Sequence, residues 1–86
     1  MDYKTEIKKA IEENRIIIGA RSVMKKLKLE KPKLIIMASN CPEKLKKDIE
    51  YYAKLSDVEI KVFDGTQKEL GIFCGKPFPI AVAAIE

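Results

Sequence analysis

Five consecutive apolar residues, Leu34-Ile35-Ile36-Met37-Ala38, stand between Lys31-Pro32-Lys33 and the polar pair Ser39-Asn40. No other stretch restricts the fold as much. The run has the length of a strand, and with no polar residue at alternate positions it must be covered on both faces. The chain therefore needs a sheet with helices packed above and below it. At 86 residues it forms one compact domain with one core, burying about 60% of the surface its unfolded form would expose.

The flanking segments supply the helices and the other strands. Tyr3 to Asn14 carries Ile7, Ala10 and Ile11 at helical spacing between charges, which predicts an amphipathic helix. Arg15 to Ile18 is a β-branched run halted by Gly19 and reads as a buried strand. Ala20 to Lys28 places Val23, Met24 and Leu27 on one stripe and Arg21, Lys25 and Lys28 on another, a helix with a basic outer face. Asn40-Cys41-Pro42 is a helix-start signal, and the helix it opens, to about Leu55, buries Leu45, Ile49, Tyr52 and Ala53. Val58 to Phe63 alternates as a strand with one polar face. Asp64-Gly65-Thr66 turns into a short helix, Gln67 to Phe73, with Gly75 just beyond its end. The loop Lys76 to Pro79 then feeds a last strand from Ile80 to Ile85. The order α-β-α-β-α-β-α-β predicts an α/β fold, a three-layer α/β/α sandwich around a four-stranded mixed sheet.

Charge is distributed unevenly. Residues 19 to 47 hold nine bases against two acids, a local +7 within a chain whose total is +4. A third of the sequence is thus strongly basic while the rest is slightly acidic, which fits a polyanion-binding face or a lysine-rich solvated surface; the lack of acids beside the bases favours the binding face. Enzyme chemistry finds little to work with. There is no histidine to serve as a base near neutrality, and the two cysteines lack a partner of that kind. Asp48 and Glu50 lie two apart on a helix and point to different sides. Cys41 and Cys74, far apart in sequence, read as small reduced apolar residues rather than a bridge or a metal pair, and no cofactor is implied. No apolar run has the roughly 18 residues of a membrane span, and the start of the chain lacks the build of a secretory leader, which predicts a cytoplasmic protein with no membrane partner.

Three junctions put unusual residues where strands meet helices or loops. At Gly19-Ala20-Arg21-Ser22 a strand end turns into a helix, whose free backbone N–H groups and dipole can hold a phosphate. The glycine also fits a plain tight turn, since no dinucleotide or Walker motif accompanies it. At Asn40 a side-chain amide is placed either to cap the following helix or to read a base edge. Phe78, between Pro77 and Pro79, is either a rigid stacking platform for a splayed base or a plug beneath its loop. The three converge only if the first two strands run parallel and the last runs the opposite way.

Leu34 to Pro42, then Asp48-Ile49-Glu50-Tyr51-Tyr52-Ala53-Lys54-Leu55-Ser56, then Glu69-Leu70-Gly71 with Cys74-Gly75-Lys76, resemble the "L-thirty-e" large-subunit ribosomal proteins of archaea and eukaryotes. The likeness runs from about Ile16 to Ile85, with several motifs in order and at matching spacing. That family is similar in fold to the "L-seven-Ae" proteins, which bind kink-turn RNA, an internal loop that bends two helices sharply. The resemblance implies a ribosomal protein, a monomer when free, whose partners are ribosomal RNA and other ribosomal components. It implies that Gly19 lets backbone approach the RNA, that Arg21 meets a phosphate in place of the family's usual lysine, and that Ser22 beside it is also an RNA-binding residue. Asn40 would bond a base in the bend, Phe78 and Ile80 would pack on the extruded nucleotide, and Lys25 and Lys44 would touch the RNA backbone. Two departures stand out: Pro79 occupies a position where relatives often carry arginine, and the sequence given stops at Glu86, before the acidic tail many relatives have.

Overall fold

A computed structural model describes residues 3–86; Met1 and Asp2, which open the segment read above for a leader, lie outside the described residues. Four helices alternate with four strands: α1 (Tyr3–Glu12), β1 (Ile16–Ile18), α2 (Ala20–Leu29), β2 (Leu34–Met37), α3 (Glu43–Ser56), β3 (Glu59–Val62), α4 (Gln67–Phe73) and β4 (Val82–Ile85). The strands lie in the order β1-β4-β2-β3. β4 is antiparallel to both β1 and β2, while β2 and β3 are parallel, so the sheet is mixed as expected.

The apolar run behaves as its composition requires. All four residues of β2 are buried, and so are all four of β4. Successive side chains go to opposite faces. Leu34, Ile36, Ala83 and Ile85 join Ile7 and Ala10 of α1 and Leu70 of α4 in one cluster. Ile35, Met37, Val82 and Ala84 join Val23 and Leu27 of α2 and Ile49 and Ala53 of α3 in another. The sheet thus divides the interior of the domain into two apolar layers, as helices on both of its faces require.

The outer strands depart from expectation for a common reason. β1, read as buried, is only partly covered, because it forms one edge of the sheet and has a single neighbour. On the opposite edge, the apolar side of β3 fades along its length: Val58 is buried just before the strand, Ile60 is partly covered, and Val62 is 56% exposed. Helix ends are set by local chemistry. α1 stops where Asn14 turns left-handed at φ 56. Pro42, expected inside the first turn of α3, holds the N-cap position at φ −54, ψ 138, and the helix starts one residue later. α4 opens on a capping box in which Thr66 and Glu69 satisfy each other's backbone N–H groups.

Candidate nucleic-acid interface

Because β1 and β2 both oppose β4, they point the same way, and their C-terminal ends lie beside the N-terminal end of β4. Two hydrogen bonds fix that rim. Gly19 N–H donates to Val82 O at 3.2 Å, and Ala38 N–H donates to Ala81 O at 2.9 Å. The residues preceding β4 are the loop that carries Phe78. The three junctions therefore meet along one end of the sheet, with the start of α2, the start of α3 and the loop before β4 side by side.

Gly19 is held at φ +103, ψ 144 as the N-cap of α2, a conformation that side chains resist. A Cβ built there would meet nothing within 4 Å, so the backbone faces open space. With no side-chain cap on α2, the N–H groups of its first turn remain available to an anion, next to the exposed Arg21 and Ser22. Lys25, on the following turn, is exposed as well. Arg21, Lys25 and Lys28 border a groove of about 520 Å³ floored by Met24, Leu29 and Leu45, between α2 and α3. Lys28 is drawn over the Tyr52 ring, 5.0 Å from its centroid.

The local surplus of charge survives folding with one deduction. Of the nine bases between residues 19 and 47, Lys26 alone among the described residues is in ion pairs, with Glu30 and with Glu86 at 2.9 Å. The hydrogen bonds it donates to the Glu30 and Glu86 carboxylates hold its pKa above the usual lysine range. Lys44, in the first turn of α3, is exposed beside the rim. Lys31 and Lys33 precede β2 and so sit at the opposite end of the sheet.

Asn40 does not cap the helix that follows it. α3 has no side-chain cap, and Asn40 Oδ1 instead accepts the first N–H of α4, from Gln67, at 2.8 Å. Gln67 Nε2 returns a bond to Asn40 O at 3.1 Å. Since the backbone N–H must donate, the amide orientation is settled, and its NH₂ is the group turned to other use. Ser39 adds two bonds to Gly65 O, from its N–H at 3.0 Å and its Oγ at 2.8 Å. The β2–α3 junction is thereby sewn to the turn before α4.

The Phe78 loop is braced by the same helix. Lys76 N–H donates to Gly71 O and Ile80 N–H to Gln67 O, both at 2.9 Å. Gly71, buried in the middle of α4, lies so close to the loop that a Cβ there would stand 2.1 Å from Phe78 O. Phe78 itself is 49% exposed, so it is not a plug beneath the loop. Ile80 is: at 1% exposure its side chain belongs to the core with Leu70 and Cys74, which takes it off the surface assigned to it by the resemblance and makes it the anchor of the loop.

Gln67 and Gly71 were not singled out from sequence. A glycine in a helix interior costs about 1 kcal/mol relative to alanine, and that cost was the available sign of a close backbone approach. Gln67 gave no such sign. Cys41 is half-buried at the rim and Cys74 is buried, both free, and burial pushes both thiols up, countered in part by Lys46 at the first and Lys76 at the second. No group of three or more metal-ligating side chains occurs among the described residues.

Fold and rim define a class: a small α/β/α sandwich that offers a basic helix, an asparagine amide and a loop aromatic along one end of its sheet. The chain belongs to the ribosomal protein L7Ae/L30e/S12e/Gadd45 family, whose sequence model matches residues 1–86. It is 46% identical over 86 residues to a protein of Methanothermobacter thermautotrophicus named large ribosomal subunit protein eL30, covering 100% of this chain and 88% of that one. A protein of the same name from Methanopyrus kandleri is 43% identical over 84 residues, covering 98% and 77%. The resemblance drawn from the motifs is borne out. Among solved structures, a Bacillus halodurans protein of unknown function superposes with a TM-score of 0.85 at 20% identity over 98% of this chain and 83% of that one. The Giardia lamblia 15.5 kD RNA-binding protein superposes with a TM-score of 0.76 at 22% identity over 92% and 66%. These two likenesses establish the shared fold.

Proposed function

We propose that the protein is a structural component of the large ribosomal subunit, in the cytoplasmic ribosome, and that its rim clamps a kink-turn-like internal loop of ribosomal RNA. The observation that carries this reading is the meeting of Gly19, Asn40 and Phe78 at one end of the sheet beside the exposed cations Arg21, Lys25 and Lys44. Each supplies what a sharply bent RNA presents. Gly19 and the first turn of α2 admit a phosphate to bare backbone, with Arg21 and Ser22 alongside. The Asn40 NH₂, its oxygen already held by Gln67, donates to a base edge. Phe78 stacks on a base thrown out of the bend. Lys25 and Lys44 add charge along the backbone. Because Gln67 bonds both the Asn40 junction and the start of the β4 lead-in, amide and ring are held in fixed relation, which suits recognition of shape more than of sequence.

Binding to a kink-turn RNA and to a control of the same composition with the internal loop replaced by Watson–Crick pairs decides the matter. The bent RNA should bind tightly and lose affinity with salt at a slope of about 0.7 to 0.9 per neutralised phosphate. Equal affinity for the two would overturn recognition by shape. Co-sedimentation with large subunits would separate a ribosomal role from service in another ribonucleoprotein.

A further inference from the structure

Phe78 has a second neighbour outside the rim. It and the exposed Ile72 of α4 line a concave slot of about 330 Å³, completed by Lys68, Lys76, Pro77 and Pro79. Ile72 is 67% exposed and Phe78 49%. Isolated apolar side chains on a surface are ordinary. Two large ones sharing a concavity, with every remaining wall either lysine or proline, are a different matter.

We propose that this slot is a binding site for an unpaired nucleotide of the bound RNA, its base lying against Ile72 and Phe78 and its phosphate meeting Lys68 and Lys76. The inference deepens the RNA reading above and rests on it for the class of ligand. Size and charge support the assignment. The volume falls at the lower end of the range for small-ligand sites, about 300–1,000 Å³, which suits one nucleotide. No acid lines the slot. The nearest carboxylate in sequence, that of Glu69, is occupied by the Thr66 N–H at 3.1 Å within the capping box. Neither Lys68 nor Lys76 is in an ion pair among the described residues. The slot also continues the proposed interface, since Phe78 belongs to both.

The walls further determine what the site reads. Pro77 and Pro79 have no N–H, and the Phe78 carbonyl is turned against Gly71, so little backbone is left to recognise a base edge. Stacking and charge remain, and both tolerate any base. Pro79 offers no charge, so Lys68 on α4 and Lys76 at its exit are the groups left to hold the phosphate.

The full-length chain titrated with uridine hexanucleotide, followed by NMR, tests the slot without any bend in the ligand. Shifts at the Ile72 methyls and at the Lys68 and Phe78 amides are expected. A hexamer of abasic residues, with the phosphates but no bases, should leave the Ile72 methyls unmoved. Ile72→Ser should weaken the hexanucleotide about 5-fold through lost apolar contact with the base, and the double change Lys68→Gln with Lys76→Gln should lower the salt slope by about 0.7 for the one single-strand phosphate the two lysines share. Both variants must melt with the parent, as their side chains are exposed. Unchanged affinity in both, or shifts that avoid Ile72 and Phe78, would overturn the slot. If bent and straight RNA bind alike while the slot still takes the hexanucleotide, the kink-turn reading falls and this one stands; preference for bent RNA with an inert slot gives the reverse.

Discussion

Replacing Gly71 with alanine should dislodge the loop that carries Phe78. The new Cβ would stand 2.1 Å from Phe78 O, 3.1 Å from Phe78 C and 3.3 Å from Pro79 Cα. A carbon normally keeps about 3.3 Å or more from a carbonyl oxygen, so the gap must open by about 1.2 Å. Backbone lies on both sides of the contact, so no side chain can rotate to relieve it. Overpacking of this sort costs about 1–3 kcal/mol, against about 1 kcal/mol regained in helix propensity. The displacement also pulls at the bonds from Lys76 to Gly71 O and from Ile80 to Gln67 O, both 2.9 Å long, each contributing about 0.5–1.5 kcal/mol. The net loss is about 1–3 kcal/mol, which at about 4–8 °C per kcal/mol for a domain of this size lowers Tm by about 4–24 °C. Thermal melts by circular dichroism measure it, and binding to kink-turn RNA should weaken in parallel as the ring leaves its place. A Gly71→Ala protein that melts at or above the parent and binds with the same Kd would refute this account of how α4 positions the loop.

Asn40 separates structure from recognition. Asn40→Asp keeps an acceptor for Gln67 N–H, so stability should hold in denaturant titrations while RNA affinity falls with the lost donor and the added negative charge. Asn40→Ala should lose affinity and also about 0.5–1.5 kcal/mol of stability. Phe78→Ala should weaken RNA binding with little change in Tm, since the ring is half exposed; a large fall in Tm would return it to the core. Gly19→Ala should cost about 1–3 kcal/mol by backbone strain alone, because its Cβ meets nothing, and urea unfolding reads it directly. Both thiols, raised by burial, are protonated at pH 7, so alkylation measured by mass spectrometry should accelerate only as pH climbs past the ordinary thiol range. Cys41 should then react faster than the buried Cys74, and bound RNA should slow Cys41.

Helices and strands were legible from local pattern because each buries its own apolar side. The run at Leu34 announced a doubly covered strand, and the 3.6-residue stripe in α2 announced both its buried and its basic face. What failed depended on neighbours distant in sequence. Ile16 to Ile18 has the composition of a buried strand, yet its place at the sheet edge leaves it half covered. Asn40 follows the local rule for a cap, but its acceptor was taken by a helix 27 residues later. Ile80, read as the start of the last strand and given an RNA contact only by the resemblance, precedes β4 and turns inward beside Leu70, its N–H held by Gln67 O. The charge excess of residues 19 to 47 was readable as a sum, but not that Glu86 would reach across to neutralise Lys26.

Assigning backbone amide shifts with and without a kink-turn RNA maps the interface on the molecule itself. The account predicts that the largest changes fall at Gly19 to Lys25, Asn40 to Lys44 and Gln67 to Ile80, all at the end of the sheet where β1 and β2 finish. Changes gathered instead around Lys31, Lys33 and Asp57, at the far end, would contradict it.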